Sequence, residues 1–439
     1  MSAKKESARS TRRTASYAFL TLLGAGGAFS LAYAGLPELL SVSYTETAAV
    51  VPATELFVAA EQKEAGPPPA AHLPQPSPLK AIYMSQCVAG TPSFRDELVQ
   101  LIDETELNAV VIDIKDYTGE IAFPTDNELL KDSVSDKCGA KDMRAFIERL
   151  HEKDIYVIGR ITVFQDPHYT SMHPELAVQS TLGGVWKDNK GLAFVDVGAK
   201  AFWDYIVELG KISYNIGFDE LNFDYVRYPS DGPMSETLFT HSGSKSKSEA
   251  LEEFFKYLTD ELRPTGAMLS ADLFGMTATV ESDMNIGQIL ELALPYFDGV
   301  YPMVYPSHYP NGFRGYTNVN EHSYDIVKYA MDTAVARALS PTTKIAGLAH
   351  TPLTETVVVP ATDSVATTTK EVPTGLYSKP TYDKSKIKPW LQSFDYPVHY
   401  TSEMVEEQIQ ATEDAGLDSW LFWDAANKYN SLRKVLAPQ

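Results

Sequence analysis

Eight short apolar runs, rich in β-branched and aromatic residues, recur along this chain, and a stretch with helical spacing separates most neighbours. That alternation restricts the fold more than any other feature. The runs fall at 81–84, 108–116, 155–160, 218–223, 268–274, 299–305, 387–392 and 419–424, and the helical segments at 94–105, 142–153, 201–214, 249–262, 286–296, 323–338 and 402–415. Strand-like runs alternating with amphipathic segments signal a parallel α/β architecture. Eight repeats favour closure, so the chain is expected to fold as a (β/α)8 TIM barrel over 80–438. This span exceeds the roughly 250 residues typical of such barrels, which calls for insertions. One is expected at 351–384, a Thr-, Val-, Pro- and Ser-rich stretch without helical period, as either a hairpin arm or a flap.

Three of the runs end in carboxylates. The segment GFDELNFDYVRYP carries Asp224 where its strand should run out, NAVVIDIKD carries Asp113 and Lys115, and MLSADLFG carries Asp272. The C-terminal ends of barrel strands are where such folds place their chemistry, so Asp224 reads as functional rather than as a loop cap. Aromatic residues gather at the same expected rim, among them Tyr225, Tyr228, Tyr301, Tyr305, Tyr309 and Trp423, while Trp390 and Trp420 read as core. Aromatic faces beside hydrogen-bonding carboxylates suit a ligand with apolar C–H patches and many hydroxyls, which describes a sugar.

The N-terminus is a separate object. Lys4, Lys5, Arg9, Arg12 and Arg13 precede an apolar run that closes on Ala32-Tyr33-Ala34, so 1–36 is expected to be a secretory signal or an uncleaved membrane anchor. Residues 37–79 are rich in Pro, Ala and Glu and are expected to be a disordered tether. The bulk of the chain is then exported, extracellular or associated with the cell envelope. In that compartment Cys87 and Cys138 are free to pair, but two cysteines define no framework and pairing stays open. Neither CxxC nor HExxH occurs and the nine His are scattered, so neither a metal nor another cofactor is expected. A formal charge of −21 argues against nucleic acid, since the concentrated basic run lies before the signal core.

From about Lys80 to Asn430 the chain resembles the bacterial putative glycosyl hydrolase domain family, whose members are TIM-barrel glycosidase-like proteins. The motifs that carry the likeness are ELNAVVIDIKD, HEKDIYVIGRITVFQDP with Arg160, GFDELNFDYVRYPSDG with Asp224 and Arg227, SADLFG with Asp272, PMVYPSHY with Tyr305 and His308, KPWLQSF with Gln392, and WLFWDAANKY with Trp423 and Asp424. The resemblance implies a polysaccharide or oligosaccharide as partner. The segment from Phe218 to Tyr225 also looks like the fourth-strand motif of family 18 chitinases. Asn222 replaces one of their carboxylates and Val226 stands where their closing Glu would be, which speaks against substrate-assisted chemistry. Barrel glycosidases with one carboxylate after strand four and another after strand five, as in the α-amylase class, are the better comparison.

Glycoside hydrolysis needs one carboxylic acid to protonate the leaving oxygen and one carboxylate to attack or to activate water. Asp224 is expected to be the carboxylate, kept ionised by Arg227, and Asp272 the acid, raised by apolar surroundings, with exchanged roles also open. Asp113, Lys115, His308 and Asp424 are expected to hold sugar hydroxyls, and Arg160, Arg227, Tyr305, Gln392 and Trp423 to line the substrate. The competing expectation is a non-catalytic glycan-binding barrel of the cell envelope. Polysaccharide deacetylation is weaker, because its His and Asp metal ligands do not cluster.

Overall fold

The computed structural model describes residues 69–360 and 367–438. Eight parallel strands close on themselves: β1 (Lys80–Met84), β2 (Ala109–Lys115), β3 (Tyr156–Thr162), β4 (Glu220–Asp224), β5 (Met268–Phe274), β6 (Gly299–Met303), β7 (Trp390–Gln392) and β8 (Trp420–Trp423). Each pairs with its sequence neighbours, and β8 returns to β1 through Lys80 opposite Trp420. Helices α1 (Pro92–Asp103), α2 (Met143–His151), α3 (Lys200–Ile216), α4 (Lys247–Leu262), α5 (Leu290–Ala293), α6 (Ser323–Leu339) and α7 (Ser402–Asp414) supply the crossovers. The expected TIM barrel is therefore the fold.

Alternation along the strands builds two cores. Residues such as Val110, Ile112, Leu221, Phe223, Leu269 and Leu273 face the helices and pack with Phe146, Ile206, Phe254 and Leu258. Their neighbours turn inward, where Tyr83, Val111, Tyr156, Ile158, Tyr301 and Trp390 fill the barrel. The fifth helix is one turn long, against the expected 286–296, because Gly287 sits at φ +84° and Pro295 closes the other end.

The insertion is an arm. Strands Thr351–Val359 and Thr368–Ser378 form a largely exposed antiparallel hairpin, whose second strand continues the pairing to Thr342–Thr343. It interrupts the connection from α6 to β7, and α-to-β connections lead to the N-terminal ends of barrel strands. No described residue of the arm lines the cavity at the opposite ends, so the structure gives the flap alternative no support.

The loops after β1 and β2 are joined by the Cys87–Cys138 disulfide, with Cα atoms 4.4 Å apart. The backbones touch beside it: the Gly139 N–H donates to the Gln86 carbonyl at 3.1 Å, and a Cβ on Gly90 would lie 2.3 Å from the Gly139 oxygen. Only glycine allows that approach.

The segment expected as a signal or anchor, 1–36, and the tether as far as residue 68 lie outside the described residues. Among those described, no helix is long and apolar enough to cross a membrane. The last eleven residues of the expected tether, 69–79, depart from it, because they pack on the floor of the barrel. There the Leu73 N–H donates to Asp219 at 2.7 Å, His72 stacks on Tyr214 with centroids 3.9 Å apart, and Gln75 Nε2 donates to Glu220 at 2.6 Å. Glu220 is buried inside the barrel and also accepts from Ser270 at 2.6 Å, Tyr301 at 2.7 Å and Tyr156 at 3.1 Å. Four donors make its burial tolerable, and the N-terminal segment supplies one of them.

Removing all residues before Leu79 should therefore lower stability by about 2 to 4 kcal/mol, the scale of two lost buried hydrogen-bond partners. Denaturant melts of the full chain, the truncated chain and a Gln75→Ala variant measure this. Identical midpoints for all three would show that the segment only lies on the barrel without supporting it.

Candidate active site

The sequence ELNFD in β4 reads inward, outward, inward, outward, inward, which stacks Glu220, Asn222 and Asp224 up the barrel interior while Leu221 and Phe223 face the helices. In β5 the same period turns Ser270 and Asp272 inward. Arg160 near the end of β3 and Asp113 on β2 complete a ring at the C-terminal ends of four adjacent strands.

Arg160 is the hub of that ring. Its Nη1 donates to Asp113 Oδ1 at 2.7 Å, its Nε to Asp224 Oδ2 at 3.1 Å, and its Nη2 also to Asp224. Asp272 Oδ2 lies 3.8 Å from Nε. All four side chains are buried. Burial opposes the charge on Arg160, yet Asp224 and Asp113 outweigh it and hold the guanidinium well above its ordinary value. Asp113 also accepts from the Tyr83 hydroxyl at 2.5 Å, and burial pushes its carboxyl up to about 6 against the pull of Arg160.

Asp272 has a different environment. Its Oδ1 accepts from Trp390 Nε1 at 2.7 Å and from Asn222 Nδ2 at 2.9 Å. Burial first and the charge of Asp224 second push it well above the usual carboxylate range, while Arg160, Asn222 and Trp390 pull back less. Its Oδ1 thus accepts two hydrogen bonds, while its Oδ2 accepts none among the described residues. The Oδ2 atoms of Asp224 and Asp272 lie 3.1 and 3.8 Å from one nitrogen. They are thus no more than about 7 Å apart, on the scale of the paired carboxyls of glycosidases.

A cavity of about 340 Å³ opens over this pair. Arg160, Asp224 and Asp272 form its floor, and Tyr305, His308, Trp423 and Phe394 stand among its walls. Trp423 stacks on Tyr83 at 3.8 Å and lies 4.9 Å from the Arg160 guanidinium, so one aromatic face and one cation share the site. His308 contacts Ser307 Oγ through Nδ1 at 3.1 Å, and burial lowers its pKa, which keeps the ring neutral.

Of the residues proposed from sequence, Asp224, Asp272, Arg160, Arg227, Tyr305, His308 and Trp423 line the cavity. Asp113 stands directly behind Arg160. Three others are elsewhere, each for a physical reason. A register shift between Asp113 and Lys115 turns the lysine out of the barrel, where it pairs in full burial with Asp166 at 2.8 Å. Asp424 is occupied by the N–H groups of Ala426, Lys428 and Tyr429 at 2.9 to 3.0 Å and so shapes the loop after β8. Gln392 braces Ser307 at 2.8 Å and the Phe394 carbonyl at 3.0 Å, beneath the walls of the cavity.

The partner expected for Asp224 also changes. Arg227 makes no ion pair among the described residues and donates instead to Ser230 and the Tyr228 carbonyl; Arg160 is the cation on Asp224. Sequence reasoning missed Tyr83 and Phe394 and assigned Trp390 to the core. Trp390 is buried, yet its N–H holds Asp272, and the period-two reading of β5 and β7 was the available signal.

A family profile described as "Putative glycosyl hydrolase domain" matches residues 81–347 and 355–429. No curated protein matches the chain. Among solved structures, a hypothetical protein from Ruminiclostridium thermocellum ATCC 27405 is 34% identical, covering 44% of this chain and 96% of that one, with a TM-score of 0.40. The PgaB (BpsB) glycoside hydrolase domain from Bordetella bronchiseptica shares the fold over 82% of this chain and 99% of that domain, with a TM-score of 0.52 and 14% identity. The family profile spans most of the barrel, both flanks of the inserted arm and every strand end of the cavity, and the chain belongs to the family it describes, "Putative glycosyl hydrolase domain".

Proposed function

We propose that this protein is an exported glycoside hydrolase that cleaves a cell-envelope or extracellular polysaccharide by paired-carboxyl chemistry, with Asp272 as the acid and Asp224 as the carboxylate. The observation that carries this reading is the unlike pair on adjacent strands beneath one cavity. Asp272 is raised well above the carboxylate range, and Asp224 is bound by a buried guanidinium. A proton on Asp272 Oδ2 faces the space where a glycosidic oxygen would leave as an alcohol. As that bond breaks, positive charge develops on the sugar ring, and the negative charge of Asp224 opposes it, either by bonding to the anomeric carbon or by taking a proton from attacking water. Export is supported by the basic, apolar and A-x-A sequence of the N-terminus and suits the disulfide at the rim.

One observation favours the alternative of a non-catalytic glycan-binding barrel. Both oxygens of Asp224 are engaged, Oδ2 by Arg160 and Oδ1 by the Tyr225 N–H at 2.6 Å. The two readings separate in the variants. If the pair is catalytic, Asp224→Asn and Asp272→Asn each lower glycan turnover by roughly 10² to 10⁴, and the double variant loses little more. Their stabilities should differ. Asp272→Asn preserves an acceptor for Trp390 and Asn222 and should leave the melting midpoint nearly unchanged. Asp224→Asn takes a charge from buried Arg160 and should cost about 3 kcal/mol. A wild type that binds members of a glycan panel and hydrolyses none of them would hand the site to the binding reading, and hydrolysis that survives unchanged in either variant would remove that carboxyl from the pair.

The pH dependence follows from Asp272. Its folded pKa is raised, so the acid is present below that value and is lost as pH rises through it. The alkaline limb of kcat should therefore lie well above the ordinary carboxylate range near 4. A rate that already falls between pH 4 and 5 would remove Asp272 from the acid role.

A further inference from the structure

We infer that Arg227 forms a carboxylate-binding subsite at the cavity wall, so that the glycan this protein accepts carries an acidic, uronate-type sugar beside the cleavage point. The inference rests on the glycan reading of the cavity and adds the class of sugar.

Among the described residues, the charged groups of the cavity are otherwise satisfied. Arg160 is neutralised by Asp224 and Asp113 at contact distance, and Asp272 is held between Asn222 and Trp390. Arg227 alone of the lining cations has no carboxylate within 4.0 Å. It is nevertheless fixed in place. Nη1 donates to the Tyr228 carbonyl and to Ser230 Oγ, each at 3.1 Å, and the guanidinium lies 4.7 Å from the centre of the Tyr225 ring.

That platform is built at a conformational cost. Tyr225 sits at φ +51°, a region that large side chains rarely enter, and its N–H is tied to Asp224 Oδ1. Strain held at a ligand cavity is often part of how the ligand is positioned. Here it places an aromatic face under the cation and links that face to the carboxylate of the pair.

A guanidinium that lies over a ring and makes no hydrogen bond through Nε or Nη2 among the described residues keeps the adjacent donors that match a carboxylate. Neutral sugar hydroxyls would be served by any polar group and do not require a preorganised, unpaired cation. The net charge of −21 does not forbid an acidic ligand, because exposed charges beyond about 8 Å are largely screened at physiological salt. Arg160 offsets part of the negative charge of Asp224 and Asp113 at contact, which reduces their repulsion of a further carboxylate.

The test compares polygalacturonate, alginate and glucuronoxylan oligosaccharides with their carboxyl-reduced forms, which keep linkage and ring size and lose only the charge. Calorimetric affinity and turnover are both read on the full chain. At least one acidic oligosaccharide should bind the wild type roughly ten- to a hundred-fold more tightly than its reduced form, the scale of a charge-assisted pair. That ratio should fall towards one in Arg227→Gln, with Arg227→Lys between them. Equal affinity for both forms across the panel, or a preference that survives in Arg227→Gln, overturns the inference. Charge-selective binding without turnover keeps the subsite and removes the hydrolase reading. Turnover of neutral forms with no charge preference does the reverse.

Discussion

The buried guanidinium of Arg160 is the constraint on which the upper half of this barrel depends. A cation without access to water is tolerable only where it is paired and hydrogen-bonded, and here it draws Asp113, Asp224 and the edge of Asp272 to one point from three other strands. The same charge sorts the carboxyls. Asp224 is held at two nitrogens, whereas Asp272 lies farther from the cation between the neutral donors Trp390 and Asn222, and burial raises its carboxyl. A single residue thereby sets the geometry of the pair and gives its two members unlike surroundings.

Asp113 shows the tension in this arrangement. Its carboxyl is raised to about 6, so the folded chain binds a proton more tightly than the unfolded chain, whose Asp titrates near 4. Its contribution to stability is complete below the unfolded value and is lost as pH rises through about 6. At neutral pH a charged Asp113 is therefore kept at some expense, which its bonds to Arg160 and Tyr83 partly offset. Lower in the barrel the problem is solved differently. Glu220 is surrounded by four neutral donors, and one of these, Gln75, comes from outside the barrel. The N-terminal segment thus closes a polar column that begins at Asp224 and Asp272.

The barrel was legible in the sequence because its signal is local. Apolar runs and helical periods need no knowledge of distant residues, and all eight runs became strands. The carboxylates at strand ends were legible for the same reason, since position in a strand fixes the face. What failed was partnership across strands. Arg227 is three residues from Asp224 and was the obvious cation by spacing, but the chain turns at Tyr225 and directs it to the wall, while Arg160, far away in sequence, faces Asp224 across the β3–β4 pair. Lys115 failed through a one-residue register shift, which reverses the face of a strand residue and is invisible to a period-two reading. Asp424 failed because a carboxylate at a strand end can serve the loop as well as the cavity.

These failures separate two layers of the site, one on the strands and one on the segments that follow them. The ring of Arg160, Asp113, Asp224 and Asp272 lies on strands, is buried, and is held by bonds that would cost several kcal/mol to break. Tyr225, Arg227, His308 and Phe394 lie beyond the strand ends on connecting segments that can vary without disturbing the barrel. The two layers meet at Asp224, which accepts from Arg160 through one oxygen and from the Tyr225 N–H through the other. Asp224 is thus the one carboxylate on which the buried ring and the Tyr225 turn beneath Arg227 converge, and among the described residues any change in that turn meets the ring at this residue alone.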